Sequence, residues 1–319
     1  MSSSARHLLT QSMSGVVGVQ KVKKQDRSAS FDPLFLTRIP LTMTLPPQSW
    51  DTHIYLPPDR ASTGATSLAG HLVKASPAHN FALCMSITDS PDTLPVFIDT
   101  ITALNEMHRR ARGTVILRPD EMTPTRLRTL QSQGIRSIRL HIVRIAMDLG
   151  ADIGNVEKVI SGTAQRLHGE GLSWPIDAQL SLSTWSRLSE LLVKLHQEFG
   201  TTFIADHMFC AGPDSAGSKD FGRCLDLVER GIVHVKISGL AKYAPAGIET
   251  LRPIIEQVLR CRGGDMALWG SDWPHVDLEG DRAEVDVEEQ LSRLKDICQG
   301  LGEGYWEKLT VENAQRLLL

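Results

Sequence analysis

Leu268-Trp269-Gly270-Ser271-Asp272-Trp273-Pro274-His275 is an apolar run that breaks abruptly into an acid, a proline and a histidine. Together with Met266 and Ala267 before it, the run has the length and apolarity of a buried strand. Gly270 permits close backbone approach, and Pro274 cannot continue a central strand, so the strand stops here. Asp272 and His275 are then placed at its C-terminal mouth, where parallel α/β proteins bind their ligands. The structural alternative has Asp272 capping the next turn and His275 on the surface.

Working outward, the chain from Trp50 alternates short apolar runs with longer amphipathic ones, the pattern of repeated βα units around a parallel sheet. The runs are Trp50–Tyr55, Phe81–Ile87, Thr114–Arg118, Ile135–His141, Pro175–Leu180, Thr202–His207, Val233–Ser238 and Met266–Asp272. Helical patterns lie between them over Asp92–Ala111, Pro124–Gln133, Ser183–Phe199, Phe221–Arg230 and Gly247–Cys261, and Val285–Gln299 with Tyr305–Leu319 closes the series. Eight such units predict a (β/α)8 TIM barrel, which commonly uses about 250 residues. No GxGxxG or GxxxxGK[ST] follows any of the strands, so the motifs give no support to a Rossmann or P-loop nucleotide site.

The 319 residues carry a net charge of −3, which provides no basic field for nucleic acid or an anionic membrane and leaves a small molecule as the expected partner. The sequence does not specify an oligomeric state. Five cysteines without a CxxC pair fit a reducing, cytoplasmic setting better than a disulfide framework or a zinc knuckle. Residues 1–45 differ from the rest: they are Ser-rich, with Arg6, Lys21, Lys23, Lys24, Arg27 and Arg38 against Asp26 and Asp32. They read as a flexible or strapping extension, with a mitochondrial transit peptide as the alternative. The barrel domain is accordingly expected over 46–319.

Polar residues cluster where the strands end. Alternation along the first strand puts Asp51, His53 and Tyr55 on one side. Later strands end in Arg139-Leu140-His141, Asp177-Ala178-Gln179, Asp206-His207 and Lys236-Ile237-Ser238. Buried polar groups cost free energy without partners, so a ring of them is more simply explained by a shared pocket than by a dry core. Other features have blander readings. His71 and His79 fall in the loop after the first strand, Arg109-Arg110-Ala111-Arg112 reads as a solvated helix end, and Arg118 is either an anion contact or a rim salt bridge.

These motifs carry a resemblance. Asp51-Thr52-His53, Gly134-Ile135-Arg136-Ser137-Ile138-Arg139, Asp206-His207, Lys236-Ile237-Ser238-Gly239 and Gly270-Ser271-Asp272-Trp273-Pro274-His275 occur in the order of the amidohydrolase-related family. They are most similar to its 2-pyrone-4,6-dicarboxylate lactonase-like branch. The resemblance implies a distorted (β/α)8 barrel and hydrolysis of the C–O ester bond of a lactone. It further implies Asp272 as general base, with His53 and His207 polarising the carbonyl and Arg139 receiving a substrate carboxylate. Tyr55, His141, Gln179, Lys236, Tyr243, Trp273 and His275 are further substrate contacts, with Trp273 as an apolar wall beside Asp272. Tyr55 stands where the family's first strand has its second histidine, leaving the site a nitrogen ligand short. A metal-independent enzyme without cofactor is therefore expected; one divalent ion such as zinc, held by His53, His207 and Asp272, is the alternative. Decarboxylation, non-hydrolytic cyclisation or dehydration on the same barrel, and a non-catalytic binding protein, remain open.

Overall fold

The computed structural model describes residues 45–56, 64–86, 93–117, 119–141, 152–244, 246–275 and 283–319. Residues 1–44, which hold nearly all of the expected extension, and Arg118 lie outside the described residues. Eight parallel strands run in sequence order around one sheet: β1 (Trp50–Tyr55), β2 (Asn80–Cys84), β3 (Ala111–Val115), β4 (Ile135–His141), β5 (Ile176–Gln179), β6 (Phe203–Ala205), β7 (Val233–Ile237) and β8 (Ala267–Trp269). Most strand residues are buried, as expected when helices cover the outside of a parallel sheet and side chains fill its inside. The architecture is the (β/α)8 barrel that the pattern predicts.

The surrounding helices are α1 (Ala65–Ala75), α2 (Thr93–Glu106), α3 (Pro124–Ser132), α4 (Ile153–Gly169), α5 (Leu182–Phe199), α6 (Lys219–Glu229), α7 (Arg252–Arg260), α8 (Val287–Leu301) and α9 (Asn313–Leu318). Several start on side-chain caps: Asp152, Ser181, Ser218 and Asp286 each accept a backbone N–H of the first turn. None of the described helices is long and apolar enough to cross a membrane.

Two sequence assignments shift. Ala111 and Arg112 open β3, because α2 ends at Glu106 and Arg109 turns back to place Nη1 3.0 Å from Nδ1 of His79. The basic run is thus a turn entering a strand rather than a helix end. His71 lies on α1, not in a loop; Gly64 before that helix supplies no capping side chain, which hides its start in the sequence.

Two features set the geometry of the mouth. A register shift between Asp51 and Ile54 breaks the alternation of β1. Trp50 can then pack with Ala82, Ile204, Leu268 and the α9 residues Ala314 and Leu318 at the bottom of the barrel, while His53 faces the residues at its top. Asp51 is not in that upper group, because Oδ1 accepts the backbone N–H of Ser271 (2.9 Å) and of His53 (3.2 Å). It belongs to the seam between the first and last strands. There the Tyr55 N–H donates to the Trp273 carbonyl (3.0 Å), the Asp272 N–H to the His53 carbonyl (2.8 Å) and Thr52 Oγ1 to the Trp269 carbonyl (2.7 Å).

Gly270 makes the seam possible: a Cβ there would lie 2.5 Å from Cβ of His53 and 2.8 Å from its backbone nitrogen. Gly270→Ala is expected to destabilise the protein by about 1–3 kcal/mol or more, since the obstruction includes backbone. Gly162→Ala, on open α4 surface, should instead raise stability by about 0.5–1 kcal/mol. Urea unfolding midpoints of the two variants check this, and an unchanged midpoint for Gly270→Ala would contradict the account of the seam.

Candidate active site

Each strand that contributes to the mouth does so from its C-terminal end. β1 supplies His53 and Tyr55, β2 Cys84, β4 Arg139 and His141, and β5 Asp177 and Gln179. β6 leads directly into Asp206 and His207, β7 carries Lys236 and leads into Ser238, and Asp272 follows β8. The one-turn helix Leu240–Tyr243 adds Lys242 and Tyr243.

Local backbone aims these groups. After Asp206 the chain makes a turn of left-handed helix, with φ of 51°, 53°, 64° and 54° at His207, Met208, Phe209 and Cys210. This conformation costs roughly 1–2 kcal/mol per non-glycine residue. Burial of Met208 and Phe209, the latter edge-on to Trp185 with centroids 5.5 Å apart, helps offset it. The turn directs His207 inward against Gly239, where a Cβ would stand 2.6 Å from His207 Nδ1. Asp272 (φ 61°) and His275 (φ 53°) are also left-handed, so the last loop is similarly constrained.

The deeper part of the site is a buried charge network. Lys236 Nζ contacts Asp177 Oδ2, lies 3.1 Å from Asp206 Oδ1 and 3.1 Å from His53 Nδ1, and is 3.8 Å from the Cys84 thiol. The other oxygen of Asp206 lies 2.7 Å from Arg139 Nη2, which also donates to Gln179 Oε1 at 3.1 Å. Arg139 Cζ sits 5.2 Å from the centroid of the Tyr55 ring, within cation–π range.

The upper part centres on Asp272. Its Oδ2 accepts from Lys242 Nζ at 2.8 Å. Its Oδ1 is 3.5 Å from His53 Nε2 and 3.9 Å from His207 Nε2, and has no hydrogen-bond partner among the described residues. His207 Nδ1 pairs with Ser238 Oγ at 2.9 Å, leaving its buried Nε2 without a partner there. His53 Nε2 pairs with Tyr55 Oη at 2.7 Å. The polar neighbours of Asp272 include Lys242, His53 and His207, and the ring of Trp273 lies 5.2 Å from that of His71, centroid to centroid. His275 is half-buried and donates its backbone N–H to the Asp272 carbonyl, while His141 pairs in register with Gln179. Tyr243 lies 5.8 Å from the His207 ring.

Protonation follows from burial and charge. Burial lowers His53 to about 3, overriding the pull of Asp206, and lowers His141 to about 3, with Arg139 adding to the effect. Burial likewise holds His207 well below the usual imidazole range. Burial would raise Asp206, but Arg139 and Lys236 outweigh it and hold the carboxyl well below its ordinary value. Burial and the charge of Asp206 raise Asp177 to about 6. His53 Nδ1 lies 3.1 Å from the Lys236 ammonium, which can only donate, and 3.2 Å from Asp206 Oδ1, which can only accept, so the two contacts call for opposite tautomers of the ring.

The site thus sets three carboxylates (Asp177, Asp206, Asp272) against three cations (Arg139, Lys236, Lys242), with both imidazoles neutral. Among the described residues, His53, Asp206 and His207 form the group whose metal-ligating atoms come within 4.8 Å of one another. Asp206 already has a cation against each oxygen, and Lys236 faces His53 Nδ1. Asp272, the third member of the set expected from sequence, already holds Lys242. A divalent ion on the Asp206 group would have to displace a side-chain cation, whereas Lys242 sits on Asp272 Oδ2 and leaves Asp272 Oδ1 and His207 Nε2 without hydrogen-bond partners among the described residues.

Asp177, Asp206, Lys242 and Cys84 are site members that were given no functional role from sequence. Their signal was position at strand ends; their pairing is visible only in three dimensions. The neutral histidines carry a pH consequence. The unfolded chain binds protons near pH 6.5, whereas His53, His141, His207 and His234 (about 4) do so only at lower pH in the folded protein, so acidification favours unfolding. Asp177 and Asp51, raised on folding, oppose this with fewer groups. The urea midpoint is expected to be highest above pH 6.5 and to fall as pH drops toward 4. A midpoint that stays flat or rises over that range would contradict the assignment.

Comparison with known proteins agrees with the fold. The chain is 26% identical over 251 residues to 4-sulfomuconolactone hydrolase of Rhizobium radiobacter, covering 74% of this chain and 79% of that protein. Among solved structures it resembles a probable 2-pyrone-4,6-dicarboxylic acid hydrolase of Acinetobacter baumannii with citric acid bound. That match has 17% identity and a TM-score of 0.63, covering 85% of this chain and 99% of that one. It also resembles an amidohydrolase of Burkholderia multivorans with bound zinc, at 14% identity and a TM-score of 0.59, covering 85% of this chain and 98% of that one. The family model described as Amidohydrolase matches residues 99–319, well over half of the sequence. The chain belongs to the amidohydrolase family.

Proposed function

We propose that this protein is a metal-independent lactonase that opens a small oxygenated lactone by attack of water on its carbonyl carbon. The observation that carries the reading is Asp272. One oxygen is fixed by Lys242, and the other, without a hydrogen-bond partner among the described residues, points toward two neutral imidazoles. That is the arrangement a general base needs, with one oxygen anchored and the other available to take a proton from water. The names of the relatives, hydrolases of a sulfomuconolactone and of 2-pyrone-4,6-dicarboxylic acid, support lactones that carry an anionic group.

In this mechanism Asp272 Oδ1 orients the water and accepts its proton as the C–O bond forms. With its proton on Nε2, His53 turns that N–H from Tyr55 Oη to the carbonyl oxygen, stabilising the tetrahedral oxyanion from a buried position. His207, positioned by Ser238, supplies a second neutral contact on the same face. Collapse of the intermediate breaks the ring C–O bond, and the proton held by Asp272 passes to the departing oxygen, giving a ring-opened hydroxy acid. Lys242 lies at the rim, 12% exposed, where an anionic substituent arrives. Arg139 keeps Nε and Nη1 without hydrogen-bond partners among the described residues and is the second candidate for the substituent. Tyr55, His141, Gln179, Tyr243, Trp273 and His275 surround the substrate in this reading.

Asp272→Asn keeps the shape of the side chain but cannot accept a proton. Against a panel of carboxylated and sulfonated lactones, the variant should retain substrate binding by calorimetry while kcat falls by about 10²–10⁴-fold. Retention of full turnover would reduce Asp272 to a structural role.

A further inference from the structure

Lys236 is fully buried, lies below the reacting groups, and is the centre of its own donor shell. Its ammonium is surrounded by Asp177 Oδ2, Asp206 Oδ1 (3.1 Å), His53 Nδ1 (3.1 Å) and Cys84 Sγ (3.8 Å), contributed by β5, the end of β6, β1 and β2. Two carboxylate oxygens, an imidazole nitrogen and a thiol converging from four directions make a donor set that zinc would accept. Here its centre is a lysine nitrogen.

We infer that Lys236 is an internal cation that takes the place of a divalent ion, and that its side chain is what keeps this latent Asp177–Asp206–His53–Cys84 site closed to metal. The inference rests on the metal-independent reading above and names the residue responsible for it. Two arguments support it. The first is charge: Asp177 and Asp206 leave two buried negative charges that must be neutralised inside the barrel, and Lys236 and Arg139 do this with one positive charge each. A divalent ion entering beside them would reverse the balance. The second is donor commitment: an ammonium has three N–H groups, and those of Lys236 are directed at the very atoms a metal would need. Zinc bonds of about 2.0–2.3 Å would require the surrounding donors to move inward by about 1 Å in places, which only a vacated centre allows.

Lys236 is therefore a positioning residue. Its ammonium packs against Nδ1 of His53 together with Asp206 Oδ1 and so holds the ring with Nε2 toward the mouth, the role that a metal bond to Nδ1 would otherwise fill.

The test uses the full-length protein with zinc, and with cobalt(II) as a spectroscopic stand-in. Lys236→Ala removes the ammonium and opens the centre, leaving Asp177 and Asp206 short of positive charge. The variant should gain about one equivalent of zinc per chain, show visible cobalt absorption and become more thermally stable when zinc is added. Adding Asp177→Asn to Lys236→Ala should abolish that gain, which ties the ion to this pocket rather than to surface histidines. The wild type should take up no stoichiometric ion under the same conditions. A Lys236→Ala protein that is insoluble alone but soluble with zinc supports the inference. One that is insoluble with zinc supplied, or soluble and still without metal, overturns it while leaving the metal-independent reading intact. Stoichiometric zinc in the wild type, lost together with activity on chelation, overturns that reading and this inference with it.

Discussion

Six ionised side chains packed into the mouth of one barrel must cancel one another, and most of the site follows from that constraint. Asp177, Asp206 and Asp272 face Arg139, Lys236 and Lys242, and five of the six are almost entirely withdrawn from solvent. Breaking one partner of a buried pair typically costs about 3–5 kcal/mol, because the remaining charge keeps its desolvation penalty. The network therefore fixes its members tightly. His53 is held between Lys236 and Asp272, its orientation set on one side by structural charges and on the other by groups that can meet a ligand. The neutral imidazoles follow from burial, which outweighs the pull of Asp206 on His53 and of Asp272 on His207.

The backbone meets this requirement at a cost. A left-handed turn from His207 to Cys210, and further left-handed residues at Asp272 and His275, place the two loops that deliver His207 and Asp272 in conformations the chain would not adopt alone. They are held by burial of Met208 and Phe209 beneath one loop and by the β1 seam beneath the other. Gly270 and Gly239 are the points where the chain comes close enough to His53 and His207 for a side chain to be excluded. Loop strain and glycine contacts thus converge on the same two histidines.

Much of this was legible in the sequence. Periodicity located all eight strands, since each apolar run overlaps a strand of the structure, and the proline and glycine around Asp272 marked both the end of the last strand and its close approach to the first. Family resemblance added His53, His207 and Arg139. What escaped the sequence was pairwise. Alternation put Asp51 with His53, but a bulge turned it into the seam, and bulges leave little compositional trace. Arg109-Arg110-Ala111-Arg112 looked like a solvated helix end because its charges hide a strand whose apolar part begins only later. Lys242 carried no signal beyond its place one turn after β7. α4 was not among the helical patterns read from the sequence, although Val156, Val159, Ile160, Thr163, Ala164 and Leu167 recur at helical spacing behind the Asp152 cap.

The central claim is that Asp272 activates water, and the origin of the product's new oxygen tests it most directly. A lactone turned over in ¹⁸O-labelled water should yield a ring-opened acid carrying one solvent oxygen in the newly formed carboxylate, as mass spectrometry would show. Product formed without that label would contradict hydrolysis and point to decarboxylation or cyclisation on the same barrel.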